Sequence, residues 1–230
     1  MKLEHVTITG ADDSVDPSTL AIIMREFPFA EWGLLASHAR RGSPRYPSAA
    51  WLRQLASVDT NGAKFSVHVC GQWARQLFSG DGSALTYALA DGPDCQRVQI
   101  NGVYVGKNPS ALSSVQSLWK RQVILQSRGL DGEDWYVKSL HSAGLHTAVL
   151  YDCSGGHGIT PCDWPLPWPA TFCGYAGGLG PENLQSELYK IEDRVGDRTI
   201  WIDMESAVRT DEKLDLRKVR TVLAISSRFA

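Results

Sequence analysis

Tyr175-Ala176-Gly177-Gly178-Leu179-Gly180-Pro181-Glu182-Asn183 reads as the end of a strand, a glycine turn and the start of a helix. The apolar run Phe172–Ala176 stops at two glycines, which let a backbone turn sharply and come close to a ligand. Helical spacing then sets in over Pro181–Arg194, where Leu184, Leu188 and Ile191 fall three or four residues apart. A strand that passes through a loop into a helix is the repeating unit of a parallel sheet.

The same unit recurs on either side. Apolar or β-branched runs lie at Val6–Thr9, Trp32–Ala36, Phe65–Cys70, Arg97–Ile100, Gln122–Gln126, Thr147–Tyr151, Phe172–Ala176 and Thr199–Asp203. Runs this apolar on both faces suit strands covered on both sides. Helical patterns occupy Pro17–Phe27, Ser48–Ser57, Ser110–Lys120, Glu133–Ala143, Pro181–Arg194 and Asp215–Ser226. Asp16 caps the first, with proline at its first helical position, and Ser48 opens the second. Pro161–Pro169 carries four prolines and predicts one short turn as the sixth helix. Ser79–Pro93 and Gly102–Pro109 read as irregular loops, the second on the ligand face. Eight such units average about 29 residues, near the size of one strand–helix unit in a closed barrel. The reading is an α/β fold: one (β/α)8 TIM barrel domain over residues 1–230, with its site at the C-terminal ends of the strands. The rival, an open doubly wound sheet, usually has fewer strands and often a Gly-x-Gly-x-x-Gly turn after the first. Thr9-Gly10-Ala11-Asp12 is not such a turn.

Composition narrows the partners. The formal net charge is −2, which gives no bulk pull toward nucleic acid or anionic lipid. No apolar run approaches the roughly 18 residues of a membrane span, and Met1–His5 is no hydrophobic signal core, so the expected location is cytoplasmic. Cys70, Cys95, Cys153, Cys162 and Cys173 are scattered and form no Cys-x-x-Cys pair, which argues against a disulfide framework or zinc ribbon and for small buried residues. The histidines show no ligand spacing. A small-molecule substrate is expected, without cofactor or metal, with neither nucleic acid nor membrane as partner, and with a homodimer left open.

The C-terminal third is the most informative. Asp152-Cys153-Ser154-Gly155-Gly156-His157-Gly158 and Asp163-Trp164 precede the glycine turn, and Ile202-Asp203-Met204-Glu205-Ser206-Ala207-Val208 follows it. Gly33-Leu34-Leu35, Ser43-Pro44-Arg45-Tyr46-Pro47-Ser48 and Val98-Gln99-Ile100-Asn101-Gly102 stand earlier. In this order, over nearly the whole chain, they resemble the phosphoribosylanthranilate isomerase family of tryptophan biosynthesis. The resemblance implies a TIM barrel and an Amadori rearrangement of a phosphorylated aminoaldose.

Carried over residue by residue, it makes Asp152 the general acid that opens the sugar ring. Arg45 becomes the partner of a substrate carboxylate, a task suited to guanidinium. Gln99 lies in the matching fourth-strand motif. Gly155 and Gly156 line the sixth loop, while Gly177, Gly178, Ser206 and Ala207 form a phosphate corner built from backbone N–H groups. The family's cysteine base falls at Thr9, whose hydroxyl is too weak a base to take a carbon-bound proton. Glu205 also departs from the pattern. A carboxylate aimed into the corner would repel phosphate by about 4 kcal/mol at 4 Å and an effective dielectric near 20.

From the residues alone, His157 is a candidate proton shuttle and Cys70 a candidate displaced base. Asp203 and Asp215 are expected to cap and position the last loop. Two functions follow. One is an isomerase-like enzyme of a phosphorylated or polyhydroxylated sugar derivative. The other is a barrel of the same ancestry that binds a ligand, or runs another reaction, without that isomerisation.

Overall fold

The computed structural model describes residues 1–59, 62–102, 106–129, 134–153 and 155–230. Eight parallel strands close on themselves: β1 (Lys2–Thr9), β2 (Ala30–Ala36), β3 (Lys64–Val69), β4 (Arg97–Ile100), β5 (Gln122–Ser127), β6 (Thr147–Asp152), β7 (Phe172–Ala176) and β8 (Thr199–Met204). Each strand pairs with its sequence neighbours, and β8 returns to β1. All eight runs read from the sequence are strands of this barrel.

The helices are α1 (Pro17–Glu26), α2 (Ala49–Ser57), α3 (Gly71–Phe78), α4 (Ser83–Leu89), α5 (Pro109–Ser113), α6 (Asp134–Ser142), α7 (Leu184–Val195) and α8 (Leu216–Ser226). Asp16, Ser48 and Asp215 cap α1, α2 and α8 by accepting backbone N–H bonds.

Several helix expectations are corrected. Ser79–Pro93 is not irregular, since α4 lies within it behind an Asp81 turn that accepts Ser83 N–H at 3.0 Å. The sequence reading also passed over α3, whose N-cap Cys70 makes no capping bond. Ser110–Lys120 is not one helix. It divides into α5 and a 3-10 turn at Gln116–Leu118, because Ser113 and Ser114 turn their hydroxyls back onto carbonyls of the preceding turn. The expected start of α6, Glu133, lies outside the described residues, as do 103–105 of the fourth loop.

Pro181 does not start α7. Asn183 spends its amide on the preceding loop, accepting from Gly180 N–H at 2.9 Å and donating to Gly178 O at 3.0 Å, and the helix begins at Leu184. The segment Pro161–Pro169 forms no helix. Aromatic packing covers β6 and β7 in its place. Trp164 and Tyr151 both meet the Tyr175 ring, Trp168 meets Tyr151, and Trp164 Nε1 donates to Glu187 at 2.9 Å.

Most of the apolar core lies between strands and helices. The barrel interior differs from the branched aliphatic filling usual in this fold. At its lower level Arg97 and Glu31 form a buried ion pair of 2.8 Å, and Thr7 donates to Glu31 at 2.7 Å. Above it sits a small plug of Ile124, Ala148, Leu150 and Trp201. Gly174 makes room for that plug, since a Cβ there would fall 2.1 Å from the Trp201 ring. Above the plug the inward side chains turn polar again.

Candidate functional site

The upper ends of the strands enclose an open cavity of about 830 Å3. Thr9, His68, Gln99, Asp152 and Asp203 form its inner wall, and the loops carrying Arg45, Gly177, Gly178 and Glu205 form its rim.

Strand register sets the two aspartates on one level. Asp152 pairs with Ala176 across β6 and β7, and Ala176 pairs with Asp203 across β7 and β8. With neighbouring strands about 4.8 Å apart, the two Cα atoms are separated by about 10 Å. Both residues are only 7 % exposed.

Asp203 is not the loop cap that was expected. Its Oδ1 accepts the Thr9 hydroxyl at 2.6 Å. Burial pushes its pKa well above the usual carboxylate value, helped by Glu205 and Glu31. The Thr9 bond and Arg97 oppose this only in part. Asp203 therefore keeps its proton where an ordinary aspartate is ionised, and Oδ2 is the oxygen left to carry it. Thr9 is a donor to this carboxyl.

Gly33 lies beside the pair: a Cβ there would stand 2.5 Å from Thr9 Oγ1 and 3.0 Å from His68 Nε2. His68 is buried with Nε2 3.1 Å from Ser66 Oγ, and burial pulls its pKa down to about 4, so its ring is neutral near pH 7. Gln99 donates to Asn101 at 2.9 Å, and Asn101 donates to Cys70 Sγ at 3.3 Å. Burial pushes the Cys70 thiol up to about 11. A thiol held in that form is a poor proton acceptor.

Arg45 stands at the rim in a left-handed backbone conformation, φ 75°. Asp12 fixes that turn by accepting the Arg45 amide at 2.6 Å and Arg209 Nη2 at 2.6 Å. Burial alone would raise Asp12, but hydrogen bonds from Ser14, the Arg45 amide and Arg209 hold it below its usual value. The Arg45 guanidinium lies 3.0 Å from Glu205, 3.0 Å from Ser206 Oγ and 3.4 Å from Glu212. In this arrangement Glu205 is neutralised by Arg45, and Arg45 is occupied by protein carboxylates.

The glycines serve the scaffold as well as the rim. A Cβ on Gly177 would fall 2.9 Å from Ile159 O, and one on Gly178 2.7 Å from Thr160 Oγ1. The β6 and β7 loops thus meet backbone to backbone, and Asn183 ties them by donating to Thr160 as well. Ser206 and Ala207 lie in a short 3-10 turn after β8. Gly156 and Gly158 reach the cavity wall, whereas Gly155 and His157 are exposed and do not line it; Ser154 lies outside the described residues. Cys95 and Cys173 are buried, but Cys162 is exposed. Among the described residues no cluster of three or more His, Cys, Asp or Glu could hold a metal ion.

Sequence reasoning brought Asp152, Thr9, Cys70, Arg45, Gln99, Glu205 and the Gly177-Gly178 turn to one cavity. It missed the roles of Asp203, Asp12, His68 and Asn101. Asp203 carried a signal, since it stands near the end of an apolar strand as Asp152 does.

No protein-family model matches the chain, and no curated protein matches it. Solved structures do. Phosphoribosyl anthranilate isomerase from Thermus thermophilus superposes with a TM-score of 0.64 at 18 % identity, over 98 % of this chain and 100 % of that one. The enzyme of the same name from Thermotoga maritima gives 0.59 at 15 %, over 97 % and 98 %. 3-Hexulose-6-phosphate synthase from Salmonella typhimurium gives 0.54 at 12 %, over the full length of both. At these identities the likeness establishes the fold, a phosphoribosylanthranilate-isomerase-like barrel.

Proposed function

We propose that this barrel is an isomerase-like enzyme of a polyhydroxylated sugar derivative, moving protons between substrate and two carboxyl groups at the upper mouth. The observation that carries the reading is the buried Asp203, braced by Thr9 and with its pKa raised by burial, on one level with Asp152. Pairs of titratable groups in unlike environments are how sites divide acid from base work.

In this reading Asp203 Oδ2 gives its proton to the ring oxygen of an aldose or aminoaldose, and the ring opens. Asp152 takes the proton from C2 and leaves an enol. The enol becomes the ketose when Asp152 returns that proton to C1 and the C2 hydroxyl gives its own proton to Asp203, so hydrogen has moved from C2 to C1, both carboxyl groups are restored and composition is unchanged. Asp152 thereby moves from the acid of the sequence reading to the base, in place of Thr9 and Cys70. Gln99, Asn101 and Gln126 supply the neutral hydrogen-bonding groups that hydroxyls need. Relatives in fold include a phosphoribosyl anthranilate isomerase in complex with reduced 1-(O-carboxyphenylamino)-1-deoxyribulose 5-phosphate, which makes phosphorylated aminosugars the first substrates to try.

The test is wash-in of solvent deuterium at C2 of candidate aldoses in D2O, followed by NMR. The expected result is exchange with at least one substrate. It should fall by about 10²–10⁴ in Asp152→Asn and in Asp203→Asn, with both variants still folded. Exchange at the wild-type rate in both variants would refute the assignment. Tight binding without exchange would put the binding-protein reading in front. That reading draws on two observations: no thiolate stands at Thr9, and Arg45 is already engaged by Glu205 and Glu212.

A further inference from the structure

The lower mouth of the barrel, where such folds ordinarily carry residues for stability alone, holds a second open cavity of about 600 Å3. The Trp201 plug separates it from Asp152 and Asp203.

Arg97 forms its inner end. Nε donates to Gln122 at 2.8 Å and Nη1 to Glu31 at 2.8 Å, while Nη2 is buried with no partner among the described residues. The guanidinium lies 4.4 Å from the Trp201 ring centroid, so the aromatic face closes it from above. His5 Nδ1, in the same lining, is also buried without a partner. Leaving such groups unmet is costly, and a structure that retains them ordinarily meets them with water or a ligand.

Charge indicates which ligand. Lys64 and Lys120 stand at the rim with no ion pair among the described residues. Of the two carboxylates of the cavity, Glu31 is committed to Arg97 and Thr7, whereas the half-exposed Glu4 lies 3.2 Å from a His5 ring that burial keeps neutral near pH 7. Arg97 Nη2, Lys64 and Lys120 thus remain as cationic donors beside the neutral His5 ring.

The geometry points to a second binding site at the lower mouth, for a compact, doubly charged oxyanion of the phosphate type, held by Arg97 Nη2, Lys64 and Lys120. Several charged donors around one anion favour phosphate over a single carboxylate. The inference is independent of the chemistry at the upper mouth.

Calorimetric titration with inorganic phosphate, and with acetate for comparison, tests it on the intact protein. Wild type should bind phosphate more tightly than acetate. Lys64→Ala/Lys120→Ala, a double change at the rim that spares the core, should weaken phosphate binding about tenfold. Arg217→Ala, which removes an exposed cation on α8 that lines neither cavity, should leave that binding unchanged. Absence of phosphate binding in wild type would overturn the inference and leave the unpaired atoms to water. Equal affinity in the rim variant, or an equal loss of binding in Arg217→Ala, would also overturn it.

Discussion

Replacing Asp203 with asparagine removes its titration and keeps its shape. Asn Oδ1 can still accept the Thr9 hydroxyl, and the amide donates from the place where the carboxyl held its proton. The consequence for stability follows from linkage. The folded pKa of Asp203 is raised by burial, so the folded protein keeps a proton that the unfolded chain loses above about pH 3.9. The stability tied to that proton is complete below the unfolded pKa and is lost as pH rises through the folded one.

Inside that window one proton separates the two states, and stability falls by about 1.4 kcal/mol per pH unit. For a chain of this size that is roughly 3–5 °C of melting temperature per unit. His5 and His68 act in the opposite sense. Burial lowers each to about 4, so the stability they supply is lost as pH falls from about 6.5 toward 4. Wild type therefore mixes opposing slopes below pH 6.5, and the difference between wild type and Asp203→Asn isolates the carboxyl. Urea denaturation from pH 4 to 8 should show the variant gaining on wild type as pH rises, until pH passes the folded pKa of Asp203 and the difference levels off. Parallel curves would mean that Asp203 is ionised in the folded protein, and its role as acid would fall.

Gly33→Ala places a Cβ against Thr9 and His68, an overpacking worth about 1–3 kcal/mol. The melting temperature should drop accordingly and deuterium exchange should slow, whereas an unchanged melting curve would show that the two side chains yield freely. Glu205→Ser frees Arg45 for a ligand. In a Lys64→Ala/Lys120→Ala background, where the lower mouth is weakened, it should tighten phosphate binding about threefold to tenfold, and equal affinities would place the carboxylate's influence elsewhere. Cys70→Ser should exchange substrate deuterium at the wild-type rate, because the thiol is held protonated; a lost rate would restore Cys70 as a base.

What was legible in the sequence follows periodicity. Each barrel strand is buried on both faces and reads as an apolar run, so all eight were found. Helices were legible where caps announce them, as at Asp16, Ser48 and Asp215. They were not where the cap is Cys70, nor where serines divide α5 from the turn after it. Site residues inside the stretches that carry the family resemblance, such as Asp152 and Arg45, stood out. Asp203 did not, because what sets it apart is a partner 194 residues away and the loss of water around it. No local pattern records either. The Gly177-Gly178 turn was legible for a partly different reason than its structure gives: its backbone approaches the β6 loop as well as the cavity.

The Trp201 plug that divides the barrel bars matter but not field. Glu31 and Arg97, below it, act on Asp203 above it in opposite senses, the one raising its pKa and the other lowering it. Between them lies an apolar filling in which charge is weakly screened. The barrel axis is thus an insulated line from one mouth to the other. An anion arriving beside Arg97 would offset the pull of that guanidinium and tighten the hold of Asp203 on its proton, with no atom of the wall displaced.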